Sequence, residues 1–329
     1  MPRRTIPMLV LSVLFLLSGP AQAQTDGTIV ARETVELSQE DLQDLLPSFE
    51  ARGLGDGSEL LARVKIERIT YLSDGLRVKG YLVEPADGEG EERLPAVIFN
   101  RGGNRDFAAL SDRGAVLRLA PLAAHGYVVV ASQYRGNAGG EGREEFGGAD
   151  VRDVLNLLPL LDHHPRVDSE RIGMFGWSRG GLMTYLALAQ TDRIRGAVVG
   201  AGVADMAAGV VARPAMETRV LAELVPNWED ERELALEARS PVRWADRLHK
   251  GTPILLLHGT SDWRVQPTEA FDMARALYET RHPMRLMLFE GGDHGLSDYR
   301  AEVFRAVTEW LDRYVRDRAP LPNLEPHGR

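Results

Sequence analysis

The sequence predicts an α/β fold, a mostly parallel sheet with helices on both faces. Three observations carry this expectation. Short apolar runs rich in Val, Ile and Leu recur without polar alternation, as strands buried on both faces require. Helix-forming stretches separate them, which makes βαβ units. The composition, 44% hydrophobic and 26% charged, is that of a globular chain with a packed core.

The 329 residues open with Arg3 and Arg4, an apolar run from Met8 to Leu17, and Ala21-Gln22-Ala23. A basic start, an apolar stretch of about ten residues and an A-x-A site describe a secretory signal peptide. It is expected at 1–23 with cleavage after Ala23, placing the protein outside the cytoplasm, secreted or periplasmic. The run is short for a bilayer span, so no stable membrane association is expected after cleavage. Removing Arg3 and Arg4 takes the net charge from −9 to −11, which argues against a nucleic-acid partner. There is no cysteine, which excludes disulfides, a thiol nucleophile and thiolate metal sites. No Gly-Lys-Ser/Thr phosphate loop and no H-E-x-x-H occurs, so neither cofactor nor metal is expected. Nothing in the sequence sets an oligomeric state.

Residues 24–60 form a polar N-terminal segment with one short helical stretch, Ser38 to Leu46, that Pro47 should end. Strands at 62–71 and 76–83 flank the turn Ser73-Asp74-Gly75. The alternation follows: apolar runs Ala96–Phe99, Tyr127–Ala131, Ile172–Phe175, Ala197–Val199, Ile254–Leu257 and Leu286–Phe289. Helices are expected at about 112–125, 148–162, 179–190, 268–280 and 299–315. The segment 203–250 breaks the alternation and reads as a helical cap, with Trp228 and Trp244 walling a pocket or filling a core. The layout is one domain over 61–317 with a tail at 318–329.

Gly176-Trp177-Ser178-Arg179-Gly180 lies between a strand and a helix. A sharp turn there lifts the serine hydroxyl above the sheet edge, and the flanking glycines leave room for it. The bland alternative is a glycine-rich turn with an N-capping serine. A serine needs a base and an acid to become a nucleophile. Asp262, in His258-Gly259-Thr260-Ser261-Asp262, and His294, in Gly292-Asp293-His294-Gly295, follow in the order Ser, Asp, His. Both lie after apolar strands, at the sheet edge where such folds assemble sites. Rival histidines are less well placed. His163 and His164 end a helix and are expected to be solvated or capping. His258 should pack locally, while His125, His249, His282 and His327 fall in helix ends, loops or the tail. Asp293 is better suited to bonding within its own loop. The oxyanion needs two donors. One is expected from the backbone N–H of Arg179, the other from the loop Asn100-Arg101-Gly102-Gly103-Asn104, with Arg101 and Gly102 as candidates. An antiparallel hairpin, six strands with crossover helices and this elbow together describe an eight-stranded α/β-hydrolase fold.

The chain resembles the catalytic domain of the prolyl-oligopeptidase family of serine peptidases. The likeness is carried by Gly176-Trp177-Ser178-Arg179-Gly180-Gly181, Tyr134-Arg135-Gly136-Asn137-Ala138-Gly139, Phe146-Gly147-Gly148-Ala149-Asp150-Val151, His258-Gly259-Thr260-Ser261-Asp262, Val265-Gln266-Pro267 and Asp293-His294-Gly295, over about 60–317. It implies Ser178 as nucleophile, Asp262 as acid and His294 as base. It also implies acyl transfer to water, with a peptide as the favoured small substrate. Two features depart from the family. Only about forty residues separate the expected cleavage point from the first strand, so the β-propeller of many members is not expected. Arg101 stands where many members carry Tyr or His. A carboxylesterase acting on small acyl esters therefore stays open, as does, remotely, a non-catalytic binding protein on a hydrolase scaffold.

Overall fold

The computed structural model describes residues 25–86 and 93–328, so the expected signal peptide at 1–23 lies outside the described residues. One nine-stranded sheet organises the chain in the order β1-β2-β3-β5-β4-β6-β7-β8-β9. Its strands are β1 (Ile29–Thr34), β2 (Val64–Ser73), β3 (Leu76–Pro85), β4 (Leu94–Asn100), β5 (Val128–Ser132), β6 (Val167–Trp177), β7 (Ile194–Gly200), β8 (Ile254–Gly259) and β9 (Met284–Phe289). The pairings from β1 through β3 to β5 are antiparallel, and all those from β5 to β9 are parallel. Nine strands correct the expected eight. The extra strand, β1, lies in the segment expected to be merely polar. It is an edge strand whose second half, Arg32-Glu33-Thr34, is polar and exposed, so no buried-strand pattern announces it.

Two further corrections concern proline and helix continuity. Helix α1 (Gln39–Glu50) runs through Pro47 rather than ending before it, because Leu45 and Phe49 are fully buried and anchor its second half. A second helix, α2 (Gly57–Ala62), follows. The stretch expected as one helix at 112–125 is two, α3 (Asp112–Arg118) and α4 (Ala120–Ala124). That expected at 148–162 is α5 (Val151–Leu155) and α6 (Leu157–Asp162). Pro121 and Pro159 sit at these breaks, where a missing N–H costs least.

The inner parallel strands bury both faces, while the edge strand β9 is only partly buried. In β4, Ala96 and Ile98 join one core while Val97 and Phe99 join the other. The first core is closed by α5, α6, α7 (Arg179–Leu188) and, beyond the cap, the helix at Pro267–Glu279. The second is closed by α1 to α4 and the helix at Arg300–Leu311. Between β7 and β8 the chain forms the helical insertion, with α8 (Met206–Ala212), α9 (Trp228–Ala238) and short turns. The two later helices are α10 (Pro267–Glu279) and α11 (Arg300–Leu311). The insertion has its own small core of Met206, Val210, Leu221, Leu224, Trp228 and Leu236, packed on Phe146 and Leu182. Trp244 belongs instead to the main core.

β4 sends its chain to β5 on one side, and β6 and its successors build outward on the other. The carboxyl ends of β4 and β6 therefore splay at a switch point, where an open parallel sheet offers a crevice. The Gly102 loop leaves β4 and the Ser178 turn leaves β6, so both reach that crevice.

Candidate active site

Ser178 occupies the turn between β6 and α7 with φ 58° and ψ −122°, a conformation that L residues avoid. The surroundings hold it there. Ser178 N donates to Gly200 O at 2.8 Å, tying the turn to β7. A Cβ on Gly176 would lie 2.0 Å from Gly180 O, and one on Gly180 would lie 1.9 Å from Asn100 O. Neither position admits another residue without backbone movement.

Asp262 is 4% exposed in the loop after β8. Its Oδ1 accepts from Arg264 N (2.8 Å) and Val265 N (3.1 Å), which fixes the carboxylate plane. Its Oδ2 lies 2.7 Å from His294 Nδ1 and 3.4 Å from His258 Nε2. Burial alone would raise this carboxyl. Hydrogen bonds from His258 and His294, the charge of His294 and the Val265 N–H outweigh burial and hold it well below the usual carboxylate range. Asp262 is thus ionised and takes Nδ1, leaving Nε2 as the histidine nitrogen for a second partner. Trp177 Nε1 donates to His294 O at 2.9 Å, so the elbow itself braces the histidine loop. Sequence reasoning missed this contact, because the tryptophan is remote from the histidine along the chain.

Ser178 and His294 line one cavity of about 440 Å³. Among the described residues no hydrogen bond closes Ser178 Oγ onto His294, a contact that tightens when substrate binds in sites of this type. Gly102 and Gly103 line the cavity as well. A Cβ on Gly102 would crowd Trp177 O at 3.0 Å and Ser178 Cβ at 3.2 Å, so glycine lets this loop lie close against the elbow serine. Arg101 is different. Its side chain is fully buried and donates to the carbonyls of Gln133 (2.8 and 3.1 Å), Gly102 (3.0 Å) and Arg105 (3.1 Å). It shapes the loop, and only its backbone remains for an oxyanion.

Arg179 offers a backbone N–H at the first position of α7, where helix donors lack internal partners. Its side chain lies under the site, sandwiched between Tyr134 (4.8 Å) and Phe146 (4.5 Å). Nη1 reaches Glu144 at 2.5 Å and Gly103 O at 3.0 Å, and Nη2 pairs with Asp150. Burial lowers the guanidinium's hold on its proton, but the charges of Asp150 and Glu144 more than restore it. Glu144 also accepts from Asn137 and from Arg105 N, and Tyr134 Oη donates to Arg101 O at 2.9 Å. The Tyr-Arg-Gly and Gly-Gly-Ala-Asp motifs thus become a buried network joining the glycine loop to the elbow. Glu144, its hub, belongs to none of the quoted motifs.

The remaining candidates fall outside the site. Asp293 accepts from Gly295 N (3.1 Å) and Ser297 N (2.8 Å) within its own loop. His163 is exposed, but His164, expected to be solvated or capping, is buried 3.6 Å from Glu84 because it lies beneath the chain turning into β6. His282, placed in a loop by sequence, is buried on Thr252 O at 2.8 Å. Trp228 and Trp244 pack in cores, and the insertion contributes Val203, Met206, Gly209, Arg213 and Met216 to the cavity instead. Among the described residues no cluster of His, Cys, Asp and Glu could hold a metal ion.

Comparison with known proteins adds an independent line. Residues 115–318 match the Prolyl oligopeptidase family. The chain is 30% identical over 250 residues to the uncharacterized peptidase YtmA of Bacillus subtilis, covering 75% of this chain and 93% of that protein. It is 28% identical to Dipeptidyl-peptidase 5 of Porphyromonas gingivalis, covering 74% of this chain but only 37% of that one. Among solved structures, a puromycin-hydrolyzing peptidase of Mycobacterium tuberculosis superposes with a TM-score of 0.63 at 28% identity, over 74% of this chain and 38% of that one. The acylaminoacyl peptidase of Pyrococcus horikoshii, at 22% identity and a TM-score of 0.67, shares the fold over 78% of this chain and 43% of its own. The chain therefore spans YtmA almost completely and well under half of the other three.

Proposed function

The chain belongs to the prolyl oligopeptidase family, and from that premise we propose that this serine hydrolase cleaves short peptides through an acyl-enzyme formed on Ser178. His294 Nε2 takes the proton from Ser178 Oγ as the hydroxyl attacks the scissile carbonyl, then delivers it to the leaving amine. Asp262 holds the imidazole in the tautomer with Nδ1–H and stabilises the imidazolium. The Arg179 N–H, with an N–H from the Arg101–Gly102 stretch, receives the oxyanion. Water then enters, His294 removes its proton and returns it to Ser178 Oγ, and the acyl group leaves as a carboxylic acid.

The observation that carries the proposal is the 2.7 Å contact between His294 Nδ1 and the buried Asp262, in a cavity shared with a serine at φ 58°. An N-capping serine would need neither the strain nor the paired histidine. A cavity of about 440 Å³ suits a small substrate, and we place the enzyme outside the cytoplasm on its N-terminal sequence.

A fluorophosphonate probe is expected to label the native protein, and Ser178→Ala is expected to abolish labelling and hydrolysis together. An unlabelled native protein would refute the nucleophile. Turnover of short aminoacyl anilides supports the peptidase assignment. Turnover of p-nitrophenyl acetate with every anilide untouched replaces it with carboxylesterase.

A further inference from the structure

The cavity continues beyond Ser178 and His294. It runs along the second core, past Phe99, Phe175 and Leu122, to a region lined by Arg52, Arg118 and Arg300. Phe175 and Trp177 lie on the central strand β6 yet are only half-buried, because the space they face is open cavity. The three arginines come from three elements: Arg52 follows α1, Arg118 ends α3 and Arg300 begins α11.

Among the described residues, none of the three forms an ion pair with a carboxylate. Arg52 Nη1 donates to Leu117 O at 2.6 Å, and its buried Nε has no partner. Burial, then the charges of Arg300 and Arg118, push the Arg52 guanidinium down to about 10. Burial and Arg300 act on Arg118 in the same direction. Two buried arginines pair with carboxylates, Arg179 with Glu144 and Asp150 and Arg135 with Asp74 and Asp153, while buried Arg101 and Arg239 bond backbone carbonyls. Arg52 and Arg300 are half-buried and Arg118 is exposed, so each keeps part of its hydration, but three like charges facing one cavity give it a positive end that favours an anion. The guanidinium fork matches a carboxylate in shape and charge.

We propose that Arg52, Arg118 and Arg300 bind the free carboxylate of a substrate whose apolar part lies along Phe99, Phe175 and Trp177. The carboxylate is the C-terminus of a short peptide, since that is the anion in which a peptide chain ends. The peptide identity rests on the peptidase proposal above; the anion site does not.

The test is calorimetric binding to the full-length Ser178→Ala protein. One probe pair is acetyl-Phe-Leu-Phe as the free acid and as its C-terminal amide, the other decanoate and decanamide. The peptide acid is expected to bind at least about tenfold more tightly than its amide, a difference of about 1.4 kcal/mol. That preference should fall to about twofold in Arg118→Gln, an exposed position, and in Arg300→Gln. Equal binding of acid and amide in both pairs overturns the proposal, as does a preference that survives both substitutions. A preference confined to the decanoate pair overturns the peptide C-terminus in favour of a fatty acid. Hydrolysis of the peptide acid by the unmodified enzyme is measured separately. Absence of hydrolysis alongside an arginine-dependent acid preference removes the peptidase proposal and keeps the anion site.

Discussion

Two carboxylates beside the cavity, Asp262 and Glu269, sit in opposite electrostatic environments. Asp262 gains hydrogen bonds from His258 and His294 that its burial cannot offset, so it stays ionised. Its contribution to stability is present at neutral pH and is lost only in strong acid. Glu269, on α10, is 6% exposed and accepts at one oxygen from Ala204 N (2.8 Å) and Asp205 N (3.0 Å). Burial pushes its carboxyl up to about 7, against the pull of those two N–H groups and of His258. A folded value above the unfolded one means that the folded state loses stability as pH rises from about 4.3 through 7. Glu269→Gln keeps an acceptor for both N–H groups and removes the titration. Relative to the native protein, the variant is expected to gain on the order of 2 kcal/mol between pH 5 and pH 8. Calorimetric melting at the two pH values reads this as several degrees, and an equal Tm difference at both would refute it.

The elbow between β6 and α7 is the most constrained element. Ser178 can hold its strained backbone only because β6, β7 and β4 crowd around it. Gly180→Ala sets a methyl 1.9 Å from Asn100 O, which moves α7 away from β4 and the Arg179 N–H with it. The expected cost is about 3 kcal/mol or more, with a large fall in fluorophosphonate labelling rate under conditions where the variant is still folded. Unchanged labelling in the folded variant would mean that α7 does not aim the oxyanion donor. This element was legible in the sequence, because glycine, serine and strand–helix context are all local signals. Strand β1 was not, since an exposed edge strand carries little apolar pattern. Helix α1 was cut short at Pro47, because the burial of Phe49 that sustains it depends on partners from other elements.

At the scale of the whole molecule, the segment before β2 closes one end of the cavity, with Arg52 and Leu54 in its lining. The chain matches nearly all of YtmA but well under half of the longer relatives. Export is the proposal that belongs to this scale, resting on Arg3, Arg4, the apolar run and Ala21-Gln22-Ala23. Expressed with its own N-terminus, the protein recovered from the periplasm or medium is expected to begin at Gln24 by intact mass. Full-length chain retained in the cytoplasm would refute export.

The sequence by itself determined the parallel α/β core, the elbow serine and the order in which Asp262 and His294 follow it. Those features are local, since burial on both faces writes apolar runs and a sharp turn demands glycine. Tertiary structure decided what distant residues do to one another. It brought Asp262 to His294, 32 positions apart along the chain, set Trp177 against the histidine loop, and buried Arg179 between Glu144 and Asp150. It also gathered Arg52, Arg118 and Arg300 from three separate parts of the chain onto one cavity. Hydrogen bonds and charge pairs of this kind depend on distance in space, and no periodicity along the chain records that distance.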